Sequence, residues 1–211
     1  MLVKWLVCGV EEKDKPRFDE AQRSWNTLKG IPGFLAQIGG WNIKSPYEAC
    51  IWALWEDEQS YNDFMQVHHD SIFYASNQKD TYSSIRVNLY KDILQISNSD
   101  VKNCINNTTV LRVASCDIQE RKESQFLNIQ RDDWNPGMKN CPGMLGGIVS
   151  KNINSINNFL VTSLWNDLKS HQYYIEYLFQ KLRAQSKLDD YTTSLDVQLV
   201  HLIDEWKVTS W

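Results

Sequence analysis

The sequence predicts an α+β protein built from two tandem βαββαβ repeats that pack sheet to sheet as an intramolecular α+β barrel. Three observations predict it. The chain of 211 residues aligns with itself over two stretches of about 100 residues. Each stretch alternates β-rich apolar runs with amphipathic helical patterns in the same order. The first strand of each repeat is apolar on both sides, so both faces of its sheet require burial.

The repeat is visible when the second half is laid over the first. Residues 3–18 align with residues 111–126 without a gap, and two single-residue insertions keep the remainder in register. The clearest pairs are Cys8 with Cys116, Phe18 with Phe126, Trp25 with Trp134, Gly33 with Gly143, and Trp55 with Trp165. The predicted divisions are a first repeat at 1–98, a linker at 99–106, a second repeat at 107–206 and a tail at 207–211.

The first three elements of each repeat follow from residue type and spacing. An apolar, β-rich run predicts a strand over about residues 2–10. Pro16 suits the first turn of a helix over about residues 14–29, in which apolar residues recur at helical spacing. A Pro-Gly pair then indicates a turn into a second strand over about residues 34–41.

The last three elements complete a ferredoxin-like unit. A third strand over about residues 48–55 forms a hairpin with the second, and Asp57 then caps a second helix. A fourth strand over about residues 84–90 closes the unit, and its counterpart is predicted near 194–201. Six such elements give a four-stranded antiparallel sheet with both helices on one face.

Composition restricts the kind of partner. The chain is 42% hydrophobic and 23% charged, which is typical of globular proteins. Its net charge of −4 argues against a nucleic-acid partner, which requires a basic surface. No charged leader or long apolar stretch is present, so we expect a soluble, cytoplasmic protein with no membrane partner. The chain is expected to be a monomeric pseudo-dimer, and further association is left open.

Metal sites and cofactors are not predicted. The five cysteines are odd in number and include no Cys-x-x-Cys pair, so we expect reduced, buried thiols rather than disulfides or zinc ligands. Adjacent His68, His69 and Asp70 point in different directions on a helix, whereas metal ligands favour spacings of three or four residues. No phosphate loop, dinucleotide fingerprint or nucleophile motif occurs, which argues against most hydrolases, kinases and dehydrogenases.

A candidate site emerges from residues that differ between the repeats, because a residue required only by the fold tends to recur in both. Five residues of the first repeat are replaced in the second: Trp41 by Lys151, Cys50 by Leu160, Trp52 by Thr162, His68 by Leu178, and His69 by Phe179. With Phe64 they predict a ligand pocket in the first repeat, and the second repeat is interpreted as structural. His68 or His69 is the candidate catalytic base, and the candidate ligand-binding residues are Trp52, Trp41, Cys50 and Phe64.

Two sets of residues have alternative interpretations. His68 lies on the apolar face of its helix, where it is either a core histidine with one hydrogen bond or a pocket acid or base. His69 lies about 100° further round the helix and is expected at the rim. Lys4 and Arg112 occupy equivalent positions on the first strands, and Arg86 and Asp196 do so on the fourth. Such inward-facing charges either form a salt bridge across the pseudo-dyad or anchor a substrate.

The pattern resembles known families. Pro-Gly-Phe-Leu before the second strand and Leu-Trp-x-Asp at the end of the third resemble the dimeric α+β barrel superfamily that includes the antibiotic-biosynthesis monooxygenases. A closer resemblance, to the uncharacterised bacterial YdbC-like family, rests on Lys4-Trp5, Gln37-x-Gly39-Gly40-Trp41 and His69-Asp70-x-Ile72. The first resemblance applies to each repeat separately, and together the two repeats make up nearly the whole chain. The second rests on the first half and carries no known activity.

The superfamily resemblance implies a pocket between helices and sheet in each unit. Some members use it for cofactor-free oxygenation of electron-rich polycyclic phenols, and others degrade haem with an Asn on strand 1, and a Trp and a His on the second helix. Here those places hold Cys8 or Trp5, Phe64 and Tyr74, which argues against haem degradation.

Three functions follow from these observations and the resemblance. The first is a small-molecule-binding protein, acting as a cofactor-free oxygenase on an aromatic substrate. The alternative is a non-catalytic binding or structural module, and haem binding is the least favoured. The sequence does not decide whether the protein is an enzyme.

Overall fold

A computed structural model describes residues 1–97 and 100–211. The described strands are β1 (Leu2–Gly9), β2 (Phe34–Asn42), β3 (Glu48–Trp55), β4 (Ser84–Gln95), β5 (Val110–Ile118), β6 (Met144–Asn152), β7 (Asn158–Trp165), β8 (Thr192–Leu202) and β9 (Val208–Thr209). The described α-helices are α1 (Lys15–Arg23), α2 (Glu58–Val67), α3 (His69–Ala75), α4 (Val101–Cys104), α5 (Glu123–Ile129), α6 (Asn135–Lys139), α7 (Leu168–Tyr173) and α8 (Gln180–Ser186).

The chain forms two compact units. The first comprises Met1–Leu89 and Val200–Trp211, and the second comprises Tyr90–Leu199. Within the first unit the strand order is β4-β1-β3-β2, and both the end of β8 and β9 pair with β2. This is the split arrangement that the sequence predicts.

The second unit repeats that order. Its strands run β8-β5-β7-β6, and residues 90–95 of β4 pair with β6 at the edge. The predicted α+β class and the tandem ferredoxin-like repeats are therefore confirmed. The last strand of each repeat is longer than predicted, because β4 continues to Gln95 and β8 begins at Thr192.

Equivalent turns are held in the same way in both repeats. The Ser60 backbone N–H donates to Asp57 Oδ1 at 2.8 Å, and Asp167 makes the matching cap. The predicted capping role of Asp57 is confirmed, and Asp167 has the same role in the second repeat. Gly33 and Gly143 have φ of +73° and +79°, a conformation that side-chain-bearing residues rarely adopt. These constraints explain why the two pairs recur.

The predicted linker is not featureless. Its first residue, 99, and the predicted end of the first repeat, 98, lie outside the described residues. Val101–Cys104 forms α4, and Ile105 behind it is fully buried. The predicted tail likewise contains β9, whose Val208 is buried. The repeat boundaries stay a prediction, since the compact units are divided differently.

The second helix of the first repeat is interrupted, which differs from the prediction. Helix α2 ends at Val67, His68 has φ −117° and ψ −32°, and α3 starts at His69. The periodicity that placed His68 on the apolar face assumed an unbroken helix. The break rotates the following turn, with the consequence that His69, not His68, lines the cavity described below.

Trp206 completes the core of the first unit from the far end of the chain. It is fully buried, and its indole N–H donates to Asp19 Oδ1 at 2.8 Å. Its ring lies 5.6 Å from Phe18 and 5.7 Å from Trp41, measured between centroids. The C-terminal segment therefore contributes packing that the first 98 residues alone do not contain.

Replacing Trp206 with Ala should lower the free energy of unfolding by about 3–5 kcal/mol, because it removes a large buried side chain and leaves a cavity. Urea denaturation followed by circular dichroism measures the loss. Trp211→Ala is the matched control, since Trp211 is 54% exposed. Equal effects of the two substitutions would contradict the role assigned to Trp206.

Candidate functional site

The candidate site is a cavity of about 60 Å³ in the first unit, between the sheet and its helices. We call it the Lys4 cavity. Its polar lining is Lys4, Cys8, Gln22, Gln37, His69, Gln78 and Tyr82, and its apolar lining is Leu6, Trp25, Ile51, Phe73 and Ile85. Strands supply the floor, and α1, α3 and the turns beside them supply the walls. Phe73, Tyr82 and Ile85 are partly exposed and form the rim.

Strand alternation explains which residues reach the cavity. Lys4, Leu6 and Cys8 are two residues apart on β1 and therefore share one face of the sheet. Lys4 lies opposite Ala53 on β3, and Ala53 lies opposite Gln37 on β2. Lys4 and Gln37 are thus on the same face, separated by a side chain that is only a methyl group.

Lys4 is the main electrostatic feature of the cavity. Its ammonium nitrogen lies 5.4 Å from the centroid of the Tyr61 ring. Among the described residues no carboxylate lies within ion-pair distance of it, so the internal salt bridge considered from the sequence is not formed. Burial lowers the pKa of Lys4 from 10.5 to about 8. The same surroundings raise the pKa of Cys8 to about 12, so its thiol is neutral.

Three glutamines, Gln22, Gln37 and Gln78, line the cavity together with Lys4. Trp25 Nε1 donates to Gln78 Oε1 at 2.7 Å, and Gln78 Nε2 donates to Gln22 Oε1 at 3.0 Å. This buried chain fixes the orientation of Gln78. Gln37 is 7% exposed, and its Nε2 is buried without a hydrogen-bond acceptor among the described residues. A buried donor without an acceptor is costly, and here it lines an open space.

His69 is held in an aromatic box. Its ring centroid lies 5.7 Å from Trp25, 5.8 Å from Phe64 and 5.7 Å from the nearly parallel ring of Phe73. Its Nδ1 lies 2.9 Å from Asp70 Oδ1. When Nδ1 carries the proton and donates to that carboxylate, the lone pair is on Nε2, the nitrogen that can accept a proton.

The structure brings together only part of the predicted site. Phe64 contacts His69, but Trp41 packs against Phe18 and Trp206 elsewhere on the same sheet face. Trp52 lies opposite Trp5, and both it and Cys50 point to the other face of the sheet from Lys4. Neither lines the Lys4 cavity. The roles assigned to these residues stay predictions.

Several lining residues were missed from the sequence, although comparison of the repeats contains the signal. Gln37, Gln78 and Ile85 have Gly147, Leu188 and Leu195 as counterparts. The two glutamines, like His69, are therefore polar only in the first repeat. The sequence offers Lys4 either as a partner in a salt bridge or as a substrate anchor. Extending the comparison from aromatic and ionisable residues to amides identifies the cavity more completely.

The second unit has an equivalent cavity of about 30 Å³, which we call the Arg112 cavity. Arg112, Cys116, Gln130, Trp134 and Phe179 line it. They correspond to Lys4, Cys8, Gln22, Trp25 and His69 in the first repeat. The two cavities therefore have the same place in the fold but different chemistry.

Two absences hold for residues 1–97 and 100–211, the residues that the structure describes. They contain no group of three or more His, Cys, Asp or Glu residues arranged to hold a metal ion. None of their helices is long and apolar enough to cross a membrane.

Fold and cavity define an α+β protein of two ferredoxin-like repeats with a monooxygenase-like fold. A candidate monooxygenase from Fusobacterium nucleatum has a TM-score of 0.78 at 11% identity, covering 99% of this chain and 94% of its own. An anthrone oxidase-like protein has a TM-score of 0.73 at 9% identity, covering 99% and 93%. A ferredoxin-fold protein of Listeria monocytogenes related to antibiotic biosynthesis monooxygenases has a TM-score of 0.52 at 12% identity, covering 97% and 95%. At these identities the likeness shows the fold alone.

The particular family follows from sequence. Residues 2–90 match the family model described as Domain of unknown function (DUF4937). The uncharacterized protein YdbC of Bacillus subtilis (strain 168) is 38% identical over 94 residues, which are 44% of this chain and 79% of YdbC. The chain belongs to the YdbC family, and the predicted family membership is confirmed.

Replacing Lys4 with Met should stabilise the protein at neutral pH. The folded-state pKa of about 8 lies below the ordinary 10.5, so between these values the unfolded chain binds more protons and stability rises with pH. Lys4→Met should therefore raise the free energy of unfolding by on the order of 1–3 kcal/mol at neutral pH. This increase should become smaller as the pH rises from about 8 toward 10.5. Urea denaturation at several pH values, with exposed Lys29→Met as control, measures it. A pH-independent loss of stability would contradict the burial of an unpaired charge.

Proposed function

We propose that the Lys4 cavity binds a small, weakly acidic organic molecule with a planar aromatic or enolic part. The observation that carries this proposal is the Lys4 amine, which lines the cavity together with aromatic and amide side chains and has no carboxylate partner among the described residues. An oxyanion on the ligand supplies the missing partner, since an opposite charge favours the ammonium form. The aromatic walls accept the planar part of the ligand.

The remaining polar groups have roles in the same complex. His69 Nε2 takes the ligand's proton, because Nδ1 is engaged with Asp70. Gln37 Nε2 donates a hydrogen bond to the resulting oxygen anion. Without a ligand, this donor has no acceptor among the described residues. Lys4 stabilises the anion electrostatically. The bound ligand is therefore deprotonated and electron-rich.

A deprotonated aromatic carbon acid can react with oxygen, and we propose cofactor-free oxygenation of an aromatic substrate as the activity. In such a reaction a CH₂ group consumes one O₂ and becomes C=O, with water as the second product. The support is the monooxygenase-like fold together with a base and a cation at one cavity. Pocket-bearing α+β folds host many functions, so the fold does not carry the proposal alone.

A non-catalytic binding or structural module is the second candidate, and the size of the cavity favours it. A volume of about 60 Å³ is well below the roughly 300–1,000 Å³ of ordinary ligand sites. An aromatic ligand requires the partly exposed rim residues Phe73, Tyr82 and Ile85 to move outward. Without such movement, only a fragment of the ligand can enter.

The binding proposal can be tested with 4-nitrophenol, whose absorbance reports ionisation, at a pH below the pKa of the free probe. The protein should shift the bound probe to its phenolate form. Lys4→Met should weaken phenolate binding about tenfold or more, since a charge-assisted contact is lost. His69→Phe, which introduces the residue found at position 179, should reduce the ionised fraction.

His68→Leu is the matched control, because it introduces the residue of the second repeat at the adjacent position outside the cavity. It should leave binding and ionisation unchanged. Loss of binding in this variant alone, or equal binding in all variants, would refute the site. An oxygen electrode with anthrone as substrate then separates the two candidates: oxygen consumption that depends on His69 supports the oxygenase, and binding without consumption supports the module.

A further inference from the structure

Arg112 is a buried charge without a partner in the second unit. Its side chain lies on β5 at the position equivalent to Lys4 and is 4% exposed. No hydrogen bond or ion pair joins its guanidinium to another described residue, and its Nε is buried without an acceptor. The guanidinium carbon lies 5.8 Å from the centroid of the Phe179 ring. The ring face attracts a cation but supplies no oxygen acceptor.

The neighbouring titratable groups do not neutralise this charge. Cys116 and Tyr174 line the same cavity, and burial raises the pKa of both, that of Cys116 to about 12. Both are therefore uncharged at neutral pH. A buried guanidinium needs a counter-charge and several acceptors, because it presents five N–H donors. The second unit provides the space for such a partner, but its described residues do not provide the partner itself.

We propose that the Arg112 cavity binds the carboxylate group of a small organic acid. The guanidinium fork matches the two oxygens of a carboxylate and can bind both at once. A cavity of about 10–15 Å³ holds one water molecule. The Arg112 cavity, at about 30 Å³, therefore accepts a group of two or three non-hydrogen atoms. The apolar residues Ala114, Leu188 and Leu195 also line the cavity and suit a short hydrocarbon tail.

This site differs in function from the Lys4 cavity. Where the first repeat has His69, Gln37 and Gln78, the second has Phe179, Gly147 and Leu188. The second cavity has a cation but lacks the histidine and two of the amides. It therefore binds a ligand that is already an anion in solution, and it does not remove a proton from that ligand. The second repeat, interpreted from its sequence as structural, thereby gains a binding role of its own.

The test measures thermal unfolding of the full chain with sodium formate, acetate, propionate or benzoate, each compared with sodium chloride at equal ionic strength. Carboxylates that bind the folded state should raise the midpoint in a saturable manner. Isothermal titration with acetate gives the affinity. Arg112→Gln should abolish carboxylate-specific stabilisation, whereas Arg112→Lys should retain it with affinity weaker by about tenfold or more, because the paired contact is lost.

Arg131→Gln, which changes an exposed arginine of the same repeat, is the control and should respond to acetate as the wild type does. Equal responses to acetate and chloride in the wild type would overturn the proposal. So would an acetate response of the Lys4→Gln variant that survives when Arg112→Gln is added, because this double variant lacks both cavity cations. If Arg112→Gln does not fold, the lysine variant and the wild-type comparison of acetate with chloride still decide the outcome.

Discussion

A cationic side chain on the first strand of each repeat, half-buried for Lys4 and buried for Arg112, has no carboxylate partner among the described residues, and the rest follows from this constraint. Alternation along β1 and β5 directs Lys4 and Arg112 toward the helices of their own units. Removing a charge from water costs free energy unless an acceptor replaces the water. We therefore propose that each cavity is complementary to an acidic ligand.

The repeats share this cation but differ in what surrounds it. In the first unit, His69 and Gln37 add a proton acceptor and a hydrogen-bond donor. In the second, Phe179 and Gly147 occupy the equivalent positions, and the cavity has about half the volume. Duplication thus preserved the sheet and its caps while the chemistry of the two cavities diverged. Proton transfer is proposed for the first unit, and simple anion binding for the second.

Much of the fold could be predicted from the sequence because its determinants are local. The cap at Asp57 and the turn at Gly33 depend on residues within a few positions. The site was predicted less well. Helical periodicity favoured His68, and only the break between α2 and α3 places His69 at the cavity. The contact of Trp206 with Phe18 joins residues far apart in sequence, which no local pattern predicts.

The most direct test is the ionisation of Lys4 itself, followed by NMR of the side-chain carbons in protein with ¹³C-labelled lysine and assigned with a Lys4 variant. One lysine should titrate near pH 8 in the free protein, and its pKa should rise when a phenolate is added. A Lys4 resonance that titrates near 10.5 and does not respond to any acidic ligand would contradict a buried, unpaired amine as the centre of the site.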